Sequence, residues 1–133
     1  MDVFVGRLMS SPVETVTADT SVQEAATRLI ECDIGSVVVV DDEGHLEGIL
    51  TSTDFVGIVS AGKTAADTAV ETYMSTDVVT ATANDSVHDV AEAMVEQGFH
   101  HVPVVDETEG VIGMITTTDL TKYLSETQSI SPS

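Results

Sequence analysis

Hydrophobic and polar positions along this chain follow one pattern, and they follow it twice. Met9-Ser10 returns as Met74-Ser75, and at that offset of 65 positions Thr15 meets Thr80, Ser21 meets Ser86, Ala26 meets Ala91, Asp41 meets Asp106 and Gly48 meets Gly113. The stretch Thr51-Ser52-Thr53-Asp54 likewise meets Thr116-Thr117-Thr118-Asp119. Two copies are fewer than a solenoid needs, so the pattern predicts two units packed face to face about a pseudo-twofold axis.

Each copy opens on a short apolar stretch, residues 13–16 and 78–79, that predicts a first strand. A helix start follows: Ser21-Val22-Gln23-Glu24 fits a capping box, and Ser86-Val87-His88-Asp89 fits it more loosely. Apolar residues then fall at Val22, Ala25, Ala26, Leu29 and Ile30, and at Val87, Val90, Ala91, Met94 and Val95. That spacing predicts an amphipathic helix with this face in the core. The β-branched run 37–40 ends in Asp41-Asp42-Glu43-Gly44 and is followed by a second apolar stretch, 46–50. Its partner, 102–105, ends in acidic turn residues and is followed by 111–115. Runs of that length around turn residues predict a buried β-hairpin. A last helix begins near Thr53 or Thr118. The expected fold class is therefore α/β (α+β), with two β-α-β-β-α repeats. Copy one occupies residues 1–60, a small and polar linker 61–69, copy two 70–124, and a polar tail expected to fray 125–133.

Composition changes this picture in two ways. The chain is 42% hydrophobic over 133 residues, enough for one compact domain and short for an enzyme with separate binding and catalytic domains. No apolar run approaches the roughly 20 residues of a membrane span, and the first residues lack a signal-peptide pattern, so a soluble cytoplasmic protein is expected. Cys32 has no partner for an internal disulfide and reads as an inert, buried thiol. The second change is charge: 23 Asp and Glu face four Lys and Arg, for a formal net charge of −19. Such a surface repels nucleic acid and anionic lipid. The apolar content argues against disorder, so the acids coat a folded surface. Two readings of that coat stay open. It resembles proteins of salt-rich cytoplasms, such as those of halophilic archaea, where screening removes self-repulsion; or it is a face that docks a basic partner.

The candidate chemistry lies where a buried strand hands over to a helix, at Gly48-Ile49-Leu50-Thr51-Ser52-Thr53-Asp54 and Gly113-Met114-Ile115-Thr116-Thr117-Thr118-Asp119. Backbone N–H groups and the positive dipole end at a helix N-terminus can hold a phosphate, and a threonine hydroxyl can add a donor. The carboxylate three residues on accepts only, which suits ribose hydroxyls. The competing reading is a helix cap: Thr before a helix and Asp in its first turn stabilise it with no ligand. The adjacent His100 and His101 point to opposite sides of an extended chain and cannot easily share a metal. His45 and His88 read as surface residues. There is no Ser/His/Asp order, zinc spacing, P-loop or dinucleotide fingerprint, so no catalytic or metal site is expected.

The frame "M-S, T-V, S-V-x-E-A, I-G-S-V-V-V-V-D, G-I-L-T-x-x-D", met twice, resembles a tandem pair of cystathionine-β-synthase (CBS) domains, a Bateman module. The resemblance implies a non-enzymatic regulatory module. Its clefts between the repeats would take AMP, ADP, ATP, S-adenosylmethionine or a similar adenosine ligand, with no required cofactor, and the module would be a homodimer joined through helical faces. It also implies that each cleft mixes the copies. One would use Thr116 and Asp119 with Val13, Ile34, Gly35 and Ser36; the other Thr51 and Asp54 with Val78, Phe99, His100 and His101. The backbone near Val13 or Val78 would read the adenine edge, and Ile34 or Phe99 would flank the ring. Phe99 is equally well read as core. Relatives often carry arginine just before the aspartate, where this chain has Thr53 and Thr118. Phosphate would then have to find helix N-termini, hydroxyls, histidines or the few cations Arg7, Arg28, Lys63 and Lys122. A monophosphate or a sulfonium nucleoside suits such a site better than a triphosphate.

Overall fold

The computed structural model describes residues 3–11 and 13–127. In the first copy β1 (Thr15–Val16), α2 (Val22–Cys32), β2 (Ser36–Val40), β3 (Leu46–Thr51) and α3 (Ser52–Ser60) follow a one-turn helix, α1 (Val5–Leu8). The second copy supplies α4 (Val87–Gln97), β4 (His101–Asp106), β5 (Gly110–Thr116) and α5 (Thr117–Thr127); of two 3₁₀ turns, Ala65–Asp67 lies in the linker and Val70–Thr72 at the start of copy two. The predicted hairpins are present: β2 pairs antiparallel with β3, and β4 with β5, each with one register shift near its turn. Their turns are tied by aspartates. Asp41 accepts from the amides of Glu43 and His45 at 2.9 Å, and Asp106 from Thr108 and Glu109 at 3.0 Å. The bond from the His45 amide foremost holds the Asp41 carboxyl below its ordinary pKa; for Asp106 the Thr108 hydroxyl, donating at 2.7 Å, does most and the two amides add to it.

The predicted serines cap both helices, each through one described bond rather than the full capping box the sequence suggests. Ser21 accepts from the Glu24 amide at 3.1 Å and Ser86 from the His88 amide at 3.2 Å. Both helices end on a left-handed residue, Asp33 (φ 53°) in copy one and Gly98 (φ 76°) at the same position in copy two. The buried face is narrower than expected. Val22, Ala25 and Leu29 are buried, yet Ile30 is 81% exposed and its counterpart Val95 84%. One residue turns a helix by about 100°, which carries both side chains past the sheet-facing stripe. Cys32 is also exposed, in contrast to the buried thiol expected. It closes the last turn of α2 on the outer side, where local desolvation and the Glu14 carboxylate raise its pKa and disfavour the reactive thiolate.

The first strand differs between the copies. In copy one β1 runs parallel to β2, with Val38 donating to the Glu14 carbonyl at 3.2 Å. In copy two only a bridge from Ala81 to Val104 remains. Pro103 stands where Val38 stands in copy one, and proline has no N–H to close the matching bond.

The chain forms two compact units that cross the repeat boundaries. One is Val13–Val78; the other joins the described residues before Val13 to those from Val79 onward. Each core is completed by the segment that leads into the other copy. Val70 is fully buried with Val16, Val22, Leu29, Val37 and Leu50, while Val5 is fully buried with Val90, Met94, Val102 and Ile115. The linker is therefore built in, with Ala65 packed against the first core. Of the tail, residues 125–127 continue α5, and 128–133 lie outside the described residues.

The Met-Ser repeats have a structural reason as well. Ser10 bridges Met114 and Ser75 bridges Ile49, each through a pair of backbone hydrogen bonds of 2.8–3.0 Å. At Gly48 an added Cβ would come within 2.8 Å of both Met74 Sδ and the Ser75 carbonyl oxygen; at Gly113 it would meet Met9 Sδ at 2.5 Å and the Ser10 carbonyl at 3.0 Å. Alanine at either site should therefore destabilise by about 1–3 kcal/mol. Gly48→Ala should cost more than Gly113→Ala, because it meets a backbone atom more closely as well as a flexible methionine. Urea unfolding of the two variants checks both the sign and the order.

Candidate functional site

In both copies strand passes to helix without an intervening residue, so the last strand residue is also the N-cap. Thr51 donates from its amide to Asp54 Oδ2 at 2.8 Å and from its hydroxyl to the same oxygen at 3.3 Å. Thr116 and Asp119 repeat this at 2.8 and 3.1 Å, and the Asp119 amide donates back to Thr116 Oγ1 at 3.3 Å. The T-x-x-D motif is thus a capping box in each unit, and the capping reading is realised. The hydroxyl proton proposed for phosphate is engaged by the aspartate. Among the described hydrogen bonds none reaches Oδ1 of Asp54 or Asp119, so each carboxylate caps with one oxygen and keeps the other as an acceptor.

The first helical amides are partly used too. Ser52 donates to the Gly35 carbonyl and Thr117 to the His100 carbonyl, both at 3.1 Å. Within each unit the box therefore sits beside the residues just before the hairpin of its own copy: Ile34, Gly35 and Ser36 beside Thr51–Asp54, and Phe99, His100 and His101 beside Thr116–Asp119. Ser52 adds its hydroxyl to the same Gly35 carbonyl at 3.3 Å, whereas the described bond from Thr117 runs through its backbone, which no sequence pattern marks.

Burial sorts the remaining candidates. Ser36 is buried, and Val13, Gly35, Thr51, Asp54, Val78, Thr116 and Asp119 are half-buried. Ile34 packs on the first core, whereas Phe99 is half-buried without joining the core of its unit. His100 is exposed and His101 half-buried, as alternation along an extended chain requires. Burial depresses the His101 pKa, the neighbouring His100 adds to this, and Asp119 opposes it. Among the cations, Arg28 is held by Glu14 at 3.3 Å and Glu24 at 3.7 Å, while Arg7, Lys63 and Lys122 are exposed. Among the described residues no cluster of His, Cys, Asp and Glu is placed to hold a metal ion, and no helix is long and apolar enough to cross a membrane.

Comparison with known proteins adds the following. The family model of the CBS domain matches the chain twice, over residues 5–61 and 70–126. The crystal structure of the CBS domain pair of protein MJ0100, in complex with 5′-methylthioadenosine and S-adenosyl-L-methionine, is similar, with a TM-score of 0.88 and 31% identity over 96% of this chain and 99% of that one. The CBS domain-containing protein YhcV of Bacillus subtilis is 30% identical over 84% of this chain and 79% of its own. The L-aspartate semialdehyde sulfurtransferase of Methanocaldococcus jannaschii is 33% identical over 90% of this chain, which spans only 23% of that enzyme.

The setting of His101 carries a pH dependence. Its folded pKa lies below the ordinary 6.5, so the unfolded chain binds the proton first as pH falls. The stability difference is absent at high pH, grows as pH drops through the ordinary histidine range, and levels off below the folded pKa. Unfolding measured between pH 8 and pH 5.5 should therefore show a larger loss in the unmodified protein than in His101→Asn. Equal losses would contradict the assignment.

Proposed function

Because the chain belongs to the CBS domain family and carries that domain twice, we propose that it is a regulatory module that senses an adenosine-type ligand at its two T-x-x-D boxes. One observation carries the proposal: in both boxes the cap converges on Oδ2, which leaves Oδ1 able to accept from a ribose hydroxyl without cost to the helix. The CBS pair of MJ0100 binds two adenosine compounds, which supports the ligand class. Across the copies we assign Thr116 and Asp119 to one cleft with Val13, Ile34, Gly35 and Ser36, and Thr51 and Asp54 to the other with Val78, Phe99, His100 and His101.

Charge narrows the ligand. The threonine hydroxyls donate to aspartate, the amides of Ser52 and Thr117 are bonded, Arg28 is paired, and Thr53 and Thr118 stand where an arginine would meet phosphate. A triphosphate would find few donors in a protein of net charge −19. A nucleoside with a sulfonium or thioether, such as S-adenosylmethionine, fits this environment better.

The capping geometry also favours a second reading, a structural module whose boxes serve only the helices. Calorimetry with S-adenosylmethionine, AMP and ATP separates the two. Asp54→Asn and Asp119→Asn keep a carbonyl oxygen for the cap and replace the free acceptor with a donor. They should weaken binding by about 1.5–3 kcal/mol and lower stability by no more than about 1 kcal/mol. Stability loss with no ligand effect would establish the structural reading.

We further propose that the module is a homodimer and that its acidic coat suits high salt. Ile30, Val95, Val56 and Val59 are large, apolar and exposed on helices, which favours association through helical faces. Light scattering in molar KCl, where repulsion is screened, should give the mass of a dimer; a monomer mass would count against it.

A further inference from the structure

The two units differ at one matched place beside the first strand and the following helix. In copy one it is filled by an ion pair: the Arg28 guanidinium lies 3.3 Å from Glu14 and 3.7 Å from Glu24. At the 65-residue offset, Val79 replaces Glu14, Ala93 replaces Arg28 and Asp89 replaces Glu24. Two long side chains are thus lost and one carboxylate kept. The second unit has a groove of about 240 Å³ at this place, floored by Val79, Val90, Ala93 and Val102 and bordered by Asp85 and Asp89. Asp85 uses Oδ2 to accept from the Thr82 amide at 2.9 Å, and no described hydrogen bond reaches Oδ1.

We propose that this groove seats an arginine side chain of a partner protein. Copy one shows what the place accommodates, since there the chain supplies its own guanidinium between carboxylates. Charge complementarity selects the same group in copy two: two acids border the groove, and the chain as a whole carries −19. The apolar floor suits the methylene stem of arginine, and the planar guanidinium can reach two carboxylates at once, which a lysine ammonium does less well. Asp89 also complements the dipole of α4, a role that explains an acid at this position but not the open groove beside it.

Resonances of Val79, Asp89 and Ala93 should shift and saturate when the protein is titrated with N-acetyl-L-arginine amide. The lysine analogue should bind several-fold more weakly and the citrulline analogue, which lacks the charge, should not bind. Ala93→Arg should abolish the response by filling the groove with an internal guanidinium. Asp89→Asn, which leaves the groove open, should weaken it about tenfold, the loss of roughly 1.4 kcal/mol expected for one charged contact. Shifts that never saturate and spread evenly over exposed carboxylates, equal responses to arginine and lysine, or full binding by both variants would overturn the proposal.

Discussion

Each half of this protein depends on a valine from outside its own repeat. Val70 closes the core around Leu50, and Val5 closes the core around Ile115, both without exposed surface. Burying a side chain of this size contributes about 1.5–3 kcal/mol, and the short 3₁₀ turn and one-turn helix that carry these valines could not hold their shape alone. The Met-Ser segments add a second tie, because each bridges the strand that ends in the T-x-x-D box and packs a methionine on that strand's glycine. The site strands β3 and β5 are thus held on one side by their hairpin partners and on the other by the chain leading to the opposite repeat.

Much of this was readable from residue order. The repeat offset, the two hairpins, the helix starts at Ser21 and Ser86 and the handover at Thr51 and Thr116 follow from periodicity and capping chemistry, which are local. What was not readable is long-range. Spacing reports which side of a helix is apolar but not how wide a stripe the sheet covers, so Ile30 and Val95 read as core and are exposed. Cys32 was misplaced for the same reason, at the margin of that stripe. The crossing of Val5 and Val70 leaves no local mark, because each valine sits in a short segment without periodicity. Pro103 was visible, yet its effect on the first strand of copy two appears only once its parallel neighbour is known.

The candidate site shows the same division. Thr and Asp three apart can cap a helix or bind a ligand, and the structure gives the cap to one carboxylate oxygen in both units. The two roles are therefore compatible: the helix start orients Asp54 and Asp119 through Oδ2, and on the proposed reading Oδ1 would be oriented for a hydroxyl in advance, which would lower the ordering cost of binding. The Thr51 and Thr116 hydroxyls and the Ser52 and Thr117 amides are engaged, which on the proposed reading shifts the expected recognition from phosphate to sugar and base.

On the proposed reading the ribose is then the decisive contact. Calorimetry comparing an adenosine ligand with its 2′-deoxy and 3′-deoxy forms tests it most directly. The account predicts that removing one of these hydroxyls weakens binding by about 1.5–3 kcal/mol, the range for a hydrogen bond to a charged group, and that this penalty shrinks in Asp119→Asn or Asp54→Asn. Equal affinity for the ribo and both deoxy ligands would contradict it.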